Sequence, residues 1–360
     1  METTKKIRLR QTVVSHLAGE AVARVLAGGY LAEGEEVRFF EEEFSKHFNK
    51  KNCVAVNSGT SALELAYELV GIKAGDEVIV PVLTFVGANL PLVRRRAKVV
   101  FADIAENNFN LSASDVEKKI TPATKAIIFV HFAGNNAGLD EILALGEKYK
   151  IKVIEDAAQA VGSDNWGKAD FTAVSFQAIK ILTTGDGGML VCKNPDDCQY
   201  AKRLRWFGMD RIERQKTGYS DILEPGYKFH MNNIAGAIGR ENLKIIDQVI
   251  NHHKQLVEKY NSFTFPADWK IRIQASIWSC LVMADDREGL RQHLTAKGVD
   301  NGIYEFRNDI YSVFGKKRWP LPNMDKIENQ YFYAPLHYGV SLADAEYIYS
   351  VVCDYYKHRN

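Results

Sequence analysis

"CVAVNSGTSALELAYELVG", residues 53–71, is the stretch on which the fold turns. Four apolar residues lead into a turn of small and hydroxyl-bearing residues. Apolar positions at i, i+3 and i+4 spacing follow and stop at Gly71. The apolar run reads as a buried strand, and the second pattern reads as a helix with a glycine at its end.

Outward from there the alternation repeats. "EVIVP" (77–81), "KVVFADI" (98–104), "KAIIFVHF" (125–132), "KVIEDAA" (152–158), "AVSFQ" (173–177) and "GMLVCK" (188–193) are further strand candidates. "LDEILALGEKYK" (139–150) is a helix between two of them. Strands this uniformly apolar, separated by helical patterns, predict an α/β fold with a mostly parallel central sheet flanked by helices. Beyond about residue 240 the texture changes. Residues 234–263 read as one or two long helices, "SIWSCLVM" (276–283) as a strand and "DREGLRQHLTAKGV" (286–299) as a helix. The expected organisation is a large domain over 1–245, with 1–34 as an N-terminal segment, and a small C-terminal α+β domain over 246–360.

Composition narrows the function classes. With 46 basic and 45 acidic residues, the chain is not built mainly for nucleic acid or an anionic membrane. Arg94, Arg95 and Arg96 form a basic cluster that reads as a solvated helix end. No apolar run reaches a membrane span, and the start lacks a signal-peptide core. The 5 cysteines are scattered without CxxC spacing, which speaks against structural zinc and for a reducing cytosol.

In parallel sheets ligands sit beyond the carboxyl ends of the strands. After "CVAV" come Asn57-Ser58-Gly59-Thr60-Ser61 and a helix start, which offers N–H groups to an anion; a simple N-cap is the other reading. After "KVIE" comes Asp156, either a turn cap or a buried partner for a protonated heterocycle. After "AVSFQAI" comes Lys180, followed by the Gly-rich turn "TTGDGG". It is either a lysine snorkelling from a strand edge or an amine made nucleophilic by desolvation. A phosphate-like turn, a carboxylate and a lysine, in that order, are what one pyridoxal phosphate site requires. Phe85, after "EVIVP", can stack on the ring or can simply pack in the core.

"NSGTSAL", "VIEDAAQAVGS" and "SFQAIKILTTGDGGM" together resemble the DegT/DnrJ/EryC1/StrS family of sugar-nucleotide aminotransferases, which have the type I pyridoxal-phosphate fold. The likeness runs from "GGYLAEGEEVRFF" to "PLHYGVSLADAEYI". It implies that Lys180 carries the cofactor's aldehyde and then shuttles protons, and that Asp156 pairs with the ring nitrogen. It implies further that Gly59, Thr60 and Ser175 hold the phosphate, Phe85 stacks on the ring and Gln159 lies against it. A dehydratase branch has histidine where this chain has Lys180, so amino transfer is the expected reaction, with no metal. The implied partners are an amino-acid donor, usually glutamate, and a nucleotide-linked keto-sugar, in a homodimer with shared active sites. An aminocyclitol aminotransferase and a cofactor-binding regulator are the alternatives. A Rossmann dehydrogenase is disfavoured, because no G-x-G-x-x-G follows the first strand.

Three features depart from the family pattern. "GYKFHM" (226–231) puts Lys228 where an asparagine usually reaches the partner subunit's phosphate, with His230 as a second candidate. The stretch from Gly162 to Ser175 is short, and Asp186 stands where glutamate is commoner. "GIYEFRNDIYSVF" (302–314) corresponds to the variable sugar-binding region. There Arg307 is either a partner for a substrate carboxylate or diphosphate, or half of a structural ion pair.

Overall fold

The computed structural model describes residues 6–359. Its first strands are β1 (Cys53–Val56), β2 (Glu77–Pro81), the short β3 (Leu83–Thr84), β4 (Lys98–Ala102) and β5 (Thr124–Val130). β6 (Lys152–Asp156), β7 (Phe171–Ser175) and β8 (Gly188–Cys192) follow. The later strands are β9 (Ile271–Ser276), β10 (Ser279–Ala284), β11 (Phe306–Arg307) and β12 (Tyr331–Ala334).

Seven strands form one sheet in the order β1-β8-β7-β6-β5-β2-β4. β7, β6, β5, β2 and β4 pair in parallel, while β8 lies antiparallel between β7 and β1. The stretch between β7 and β8 holds no helix. Without a helical crossover, a strand returns antiparallel.

Both faces of the sheet are covered, which is why its strands are apolar throughout rather than alternating. Val54, Val56, Val80, Ile128 and Ile154 pack with Leu65 and Ala66 of the helix Gly59–Val70 on one face. On the other, Ala55, Val174 and Met189 meet Phe40 and Phe44 of the helix Glu35–Phe48, and Phe129 and Val153 meet the helix Leu139–Tyr149. The Phe40 and Phe44 rings lie 5.2 and 5.7 Å from that of Phe176, edge to face. That contact pins the segment that leaves β7 toward Lys180.

Residues 234–263 form two helices, Asn233–Leu243 and Ile246–Asn261. The second bridges two cores. Its Val249 and Ile250 pack beneath the large sheet, whereas Leu256 and Tyr260 join a separate core around the three-stranded sheet β12-β10-β9. The helices Arg287–Ala296 and Leu342–Arg359 close that second core. Ile7 bridges Val299, so the N-terminal arm is tied to the C-terminal part of the chain.

One strand prediction needs correction. "SIWSCLVM" is not a single strand: Ser276 pairs with Ser279, leaving Ile277 and Trp278 as the corner of the β9–β10 hairpin. An apolar corner is tolerated because both residues are buried. Arg95 also departs from the expected solvated end, bonding Glu68 at 2.7 Å and the Tyr227 hydroxyl at 2.9 Å. Among the described residues, no helix is long and apolar enough to cross a membrane.

Candidate active site

β1, β6 and β7 end at one edge of the large sheet, and antiparallel β8 begins there. Register does the assembling: Gly188 pairs with Val56 on one side and with Ser175 on the other. A Cβ at Gly188 would lie 2.4 Å from the Ser58 carbonyl oxygen, and one at Gly59 would lie 2.8 Å from the Ser175 Cβ. Only glycine lets these backbones approach so closely. The turn after β1 is thereby pressed against Ser175.

The N-cap reading and the anion reading of this turn both hold, for different atoms. Ser58 caps the helix, its Oγ accepting from the Ser61 N–H at 3.0 Å, and the Ser61 hydroxyl donates to Asn57 Oδ1 at 2.6 Å. Among the described residues, the N–H groups of Gly59 and Thr60 and the exposed Thr60 hydroxyl have no internal hydrogen bond. Together with the Ser175 hydroxyl and the helix dipole, they suit an anion.

Phe85 is 62 % exposed, so core packing does not explain it. It follows β3, which β11 holds in place through the pairing of Thr84 with Phe306. A Cβ at Gly87 would sit 3.1 Å from the Phe85 ring and 3.4 Å from Thr60 Oγ1, so the ring and the hydroxyl flank the same glycine.

Asp156 closes β6 and is buried. Its Oδ1 accepts the Ala158 N–H at 3.0 Å, as a turn cap would. Burial nevertheless raises its pKa, despite that bond and the nearby Lys180. A cationic N–H opposite the carboxylate would offset this desolvation.

Lys180 does not snorkel to solvent. It lines a small recess with Arg10, Val13, His253, Trp278 and His337, and its Nζ lies 4.5 Å from the centre of the Trp278 ring. Burial lowers its pKa to about 8, with Glu305 and Asp156 opposing the shift. The free amine is therefore accessible close to neutral pH. Gln159 is anchored at both ends: Oε1 accepts the Ala133 N–H at 2.7 Å, and Nε2 donates to Glu305 Oε1 at 3.0 Å.

Lys228 and His230 lie outside this cluster, along β1. His230 bridges Val56 through its backbone, and the Lys228 carbonyl accepts from Asn57 Nδ2 at 3.3 Å. The Lys228 Nζ sits over Trp206 at 4.9 Å and Phe207 at 5.6 Å. Burial and the nearby Lys228 lower the His230 pKa to about 4, so its ring is neutral at physiological pH.

For Arg307 the ion-pair reading replaces the substrate reading. Its guanidinium binds Asp309 through two bonds of 2.7 Å and also pairs with Asp325 and Glu328. At 3 % exposure it has no donor left for a substrate. Arg307→Met strands the fully buried Asp309 carboxylate and is expected to cost about 3–5 kcal/mol of stability. Denaturant unfolding measures this, and a loss below about 1 kcal/mol would refute the structural role.

Three site residues escaped the sequence reading: Trp278, Glu305 and Arg10. Trp278 looked like part of a strand, and Glu305 like one polar residue in an aromatic run. Arg10 lies 268 residues before Trp278, whose backbone carbonyl it binds, so no local pattern connects them. A lone acid between Tyr304 and Phe306 was the available signal for Glu305.

These groups fit pyridoxal phosphate. The free N–H groups and hydroxyls match its phosphate, and the under-compensated Asp156 matches its ring nitrogen. The exposed Phe85 matches a ring face, and the desolvated Lys180 matches its aldehyde.

Comparison with known proteins agrees. The chain is 36 % identical over 253 residues to the spore coat polysaccharide biosynthesis protein SpsC of Bacillus subtilis. That match covers 68 % of this chain and 65 % of SpsC, so the chain spans less than two thirds of that curated relative. The sugar aminotransferase CalS13 of Micromonospora echinospora superposes with a TM-score of 0.89 at 28 % identity, covering 97 % of this chain and 99 % of CalS13. Spr1654 of Streptococcus pneumoniae, solved in a PLP-form, shares the fold with a TM-score of 0.89 at 23 % identity, over 98 % of this chain and 99 % of that one. The family that these proteins represent uses pyridoxal phosphate to aminate sugars. Residues 15–353 match its profile, and on that match, with the geometry above, the chain belongs to the DegT/DnrJ/EryC1/StrS aminotransferase family.

Proposed function

We propose that this chain moves an amino group from an amino acid, glutamate in the first instance, to a nucleotide-linked keto-deoxy-sugar, yielding an amino sugar for polysaccharide or glycoside synthesis. The observation that carries the reading is the convergence of Lys180, Asp156 and the Gly59–Thr60 helix start on one sheet edge.

When bound, pyridoxal phosphate supplies an electron sink for negative charge on the carbon next to nitrogen. The residues would supply the rest. Gly59, Thr60 and Ser175 hold the phosphate and fix the register of the ring. Asp156 keeps the ring nitrogen protonated. Phe85 covers one ring face and excludes water, while the doubly anchored Gln159 supports the ring's edge. Lys180 would hold the cofactor's aldehyde carbon, and as a free amine it would accept and return the proton of the substrate carbon. Its lowered pKa suits that exchange.

We also propose a homodimer in which Lys228 reaches the partner subunit's phosphate. Phe207, under the Lys228 Nζ, is exposed, and so are Ile212, Tyr219, Ile222 and Leu223 further along the same stretch of chain, large apolar side chains that a second subunit would cover. The domain division at residue 245 and a cytosolic site of action belong to the same reading.

The test uses colour. Reconstituted protein should be yellow, glutamate should bleach it, and one member of a panel of GDP-, UDP- and TDP-linked keto-sugars should restore it. Restoration by a keto-inositol instead would make the acceptor a cyclitol. Failure of glutamate and every other amino acid tried to bleach the colour would refute amino transfer.

A further inference from the structure

The back of the Lys180 recess is built from groups that the proposed chemistry does not use. Arg10 clamps the hairpin corner, donating to the Trp278 carbonyl at 2.9 Å and to Ser279 Oγ at 2.8 Å. Its guanidinium carbon lies 4.0 Å from the centre of the Trp278 ring, the ring over which the Lys180 Nζ sits at 4.5 Å. Two cations therefore share one indole. Their mutual repulsion has to be offset by an anion.

Glu305 is placed to be that anion. It is buried, its Oε1 is held by Gln159, and its backbone oxygen accepts the Tyr331 hydroxyl at 2.7 Å. Its Oε2 is buried, and the buried Tyr333 hydroxyl is the polar group that faces the carboxylate. Lys180, Arg10 and Tyr333 all feel its charge.

We propose that Trp278 and Glu305 are positioning residues for Lys180: whenever its amine is not covalently engaged, the ammonium rests on the Trp278 face, with Glu305 as a countercharge shared with Arg10. This rests on the reading of Lys180 as the cofactor-carrying lysine. The arrangement suits a group that must give up and regain a proton. A carboxylate in direct contact would trap the ammonium, whereas a π face holds it loosely and Glu305 acts from beyond contact. Around Lys180 and Glu305 the other charged or titratable groups are Asp156 from β6, Arg10 from the N-terminal arm, Tyr333 from β12, whose pKa burial raises, and His253 and His337 of the recess. Burial holds His253 at about 4 and lowers His337, so neither changes charge where Lys180 titrates. Removing an anion disfavours the ammonium, so losing Glu305 must lower the Lys180 pKa.

The test is competitive acylation of Lys180 across pH in the full chain freed of cofactor, quantified on the Lys180 peptide by mass spectrometry. Circular dichroism checks that each variant is folded. Glu305→Gln should move the midpoint down by about one unit, giving about fivefold more free amine at pH 7. Glu305→Asp should restore part of the shift. Trp278→Leu, which keeps the recess dry but removes the π face, should shift it the same way, and Trp278→Phe should shift it less. If Glu305→Gln does not fold, the two Trp278 variants decide alone. Wild-type midpoints in the folded variants would overturn the proposal. Borohydride trapping of pyridoxal phosphate on wild-type Lys180 is read separately: its failure would sink the proposed function and leave the acylation result standing.

Discussion

Lys180→Ala protein is expected to fold, to bind pyridoxal phosphate without a covalent link, and to transfer amino groups about 10⁴-fold more slowly than wild type, or slower still. The fold should survive because the phosphate cradle is made by Gly59, Thr60 and Ser175, whose placement depends on the β1–β8–β7 register and not on the lysine. The Lys180 amine has neither an ion pair nor a hydrogen bond among the described residues, so alanine strands no buried carboxylate in direct contact with it. Two losses combine in the rate: the covalent attachment point and the proton carrier. Borohydride followed by intact-mass measurement should find no added mass on the variant, and single turnovers with glutamate should report the rate. Activity within tenfold of wild type would remove Lys180 from the chemistry.

Asp156→Asn has the second largest expected effect, a fall of about 10²–10³-fold in turnover with the fold retained. Asparagine can still accept the Ala158 N–H through its side-chain oxygen, so the turn after β6 keeps its cap. What it cannot supply is negative charge. Burial already penalises the carboxylate at this position, and that penalty is tolerable only where a positive N–H faces it. The variant should bind cofactor with an altered absorbance spectrum and turn over slowly. Wild-type rates with a wild-type spectrum would make Asp156 a turn cap and nothing more.

The sheet strands were legible because burial on both faces leaves a signature that survives in sequence: "CVAV" and "EVIVP" carry almost no polar residue. The direction of β8 was also encoded, since no helical pattern separates Ser175 from Gly188, although a list of strands does not display it. The small sheet was harder to read. β9, "IRIQAS", is only half covered and mixes polar with apolar residues, whereas the buried corner Ile277-Trp278 mimics a strand. The site divides in the same way. Lys180, Asp156, Gly59 and Thr60 follow strand ends and can be found by position. Glu305, Trp278 and Arg10 meet only after the chain has folded. Arg307 shows the converse: its place in the stretch that resembles the family's variable sugar-binding region invites a substrate role, and its two distant acids, Asp325 and Glu328, become neighbours only in three dimensions.

The antiparallel insertion of β8 between β1 and β7 also fixes when the site can exist. A nascent chain that has not yet emitted Gly188 has no partner to bring Val56 and Ser175 together. The first strand must therefore wait, with its edge unpaired, through the synthesis of more than a hundred residues. Such long-range closure is slow and leaves an exposed edge open to misassembly. The colour of bound cofactor should then report more than catalysis: it would mark the pairing of β8 with β1 and β7, readable during refolding without any substrate.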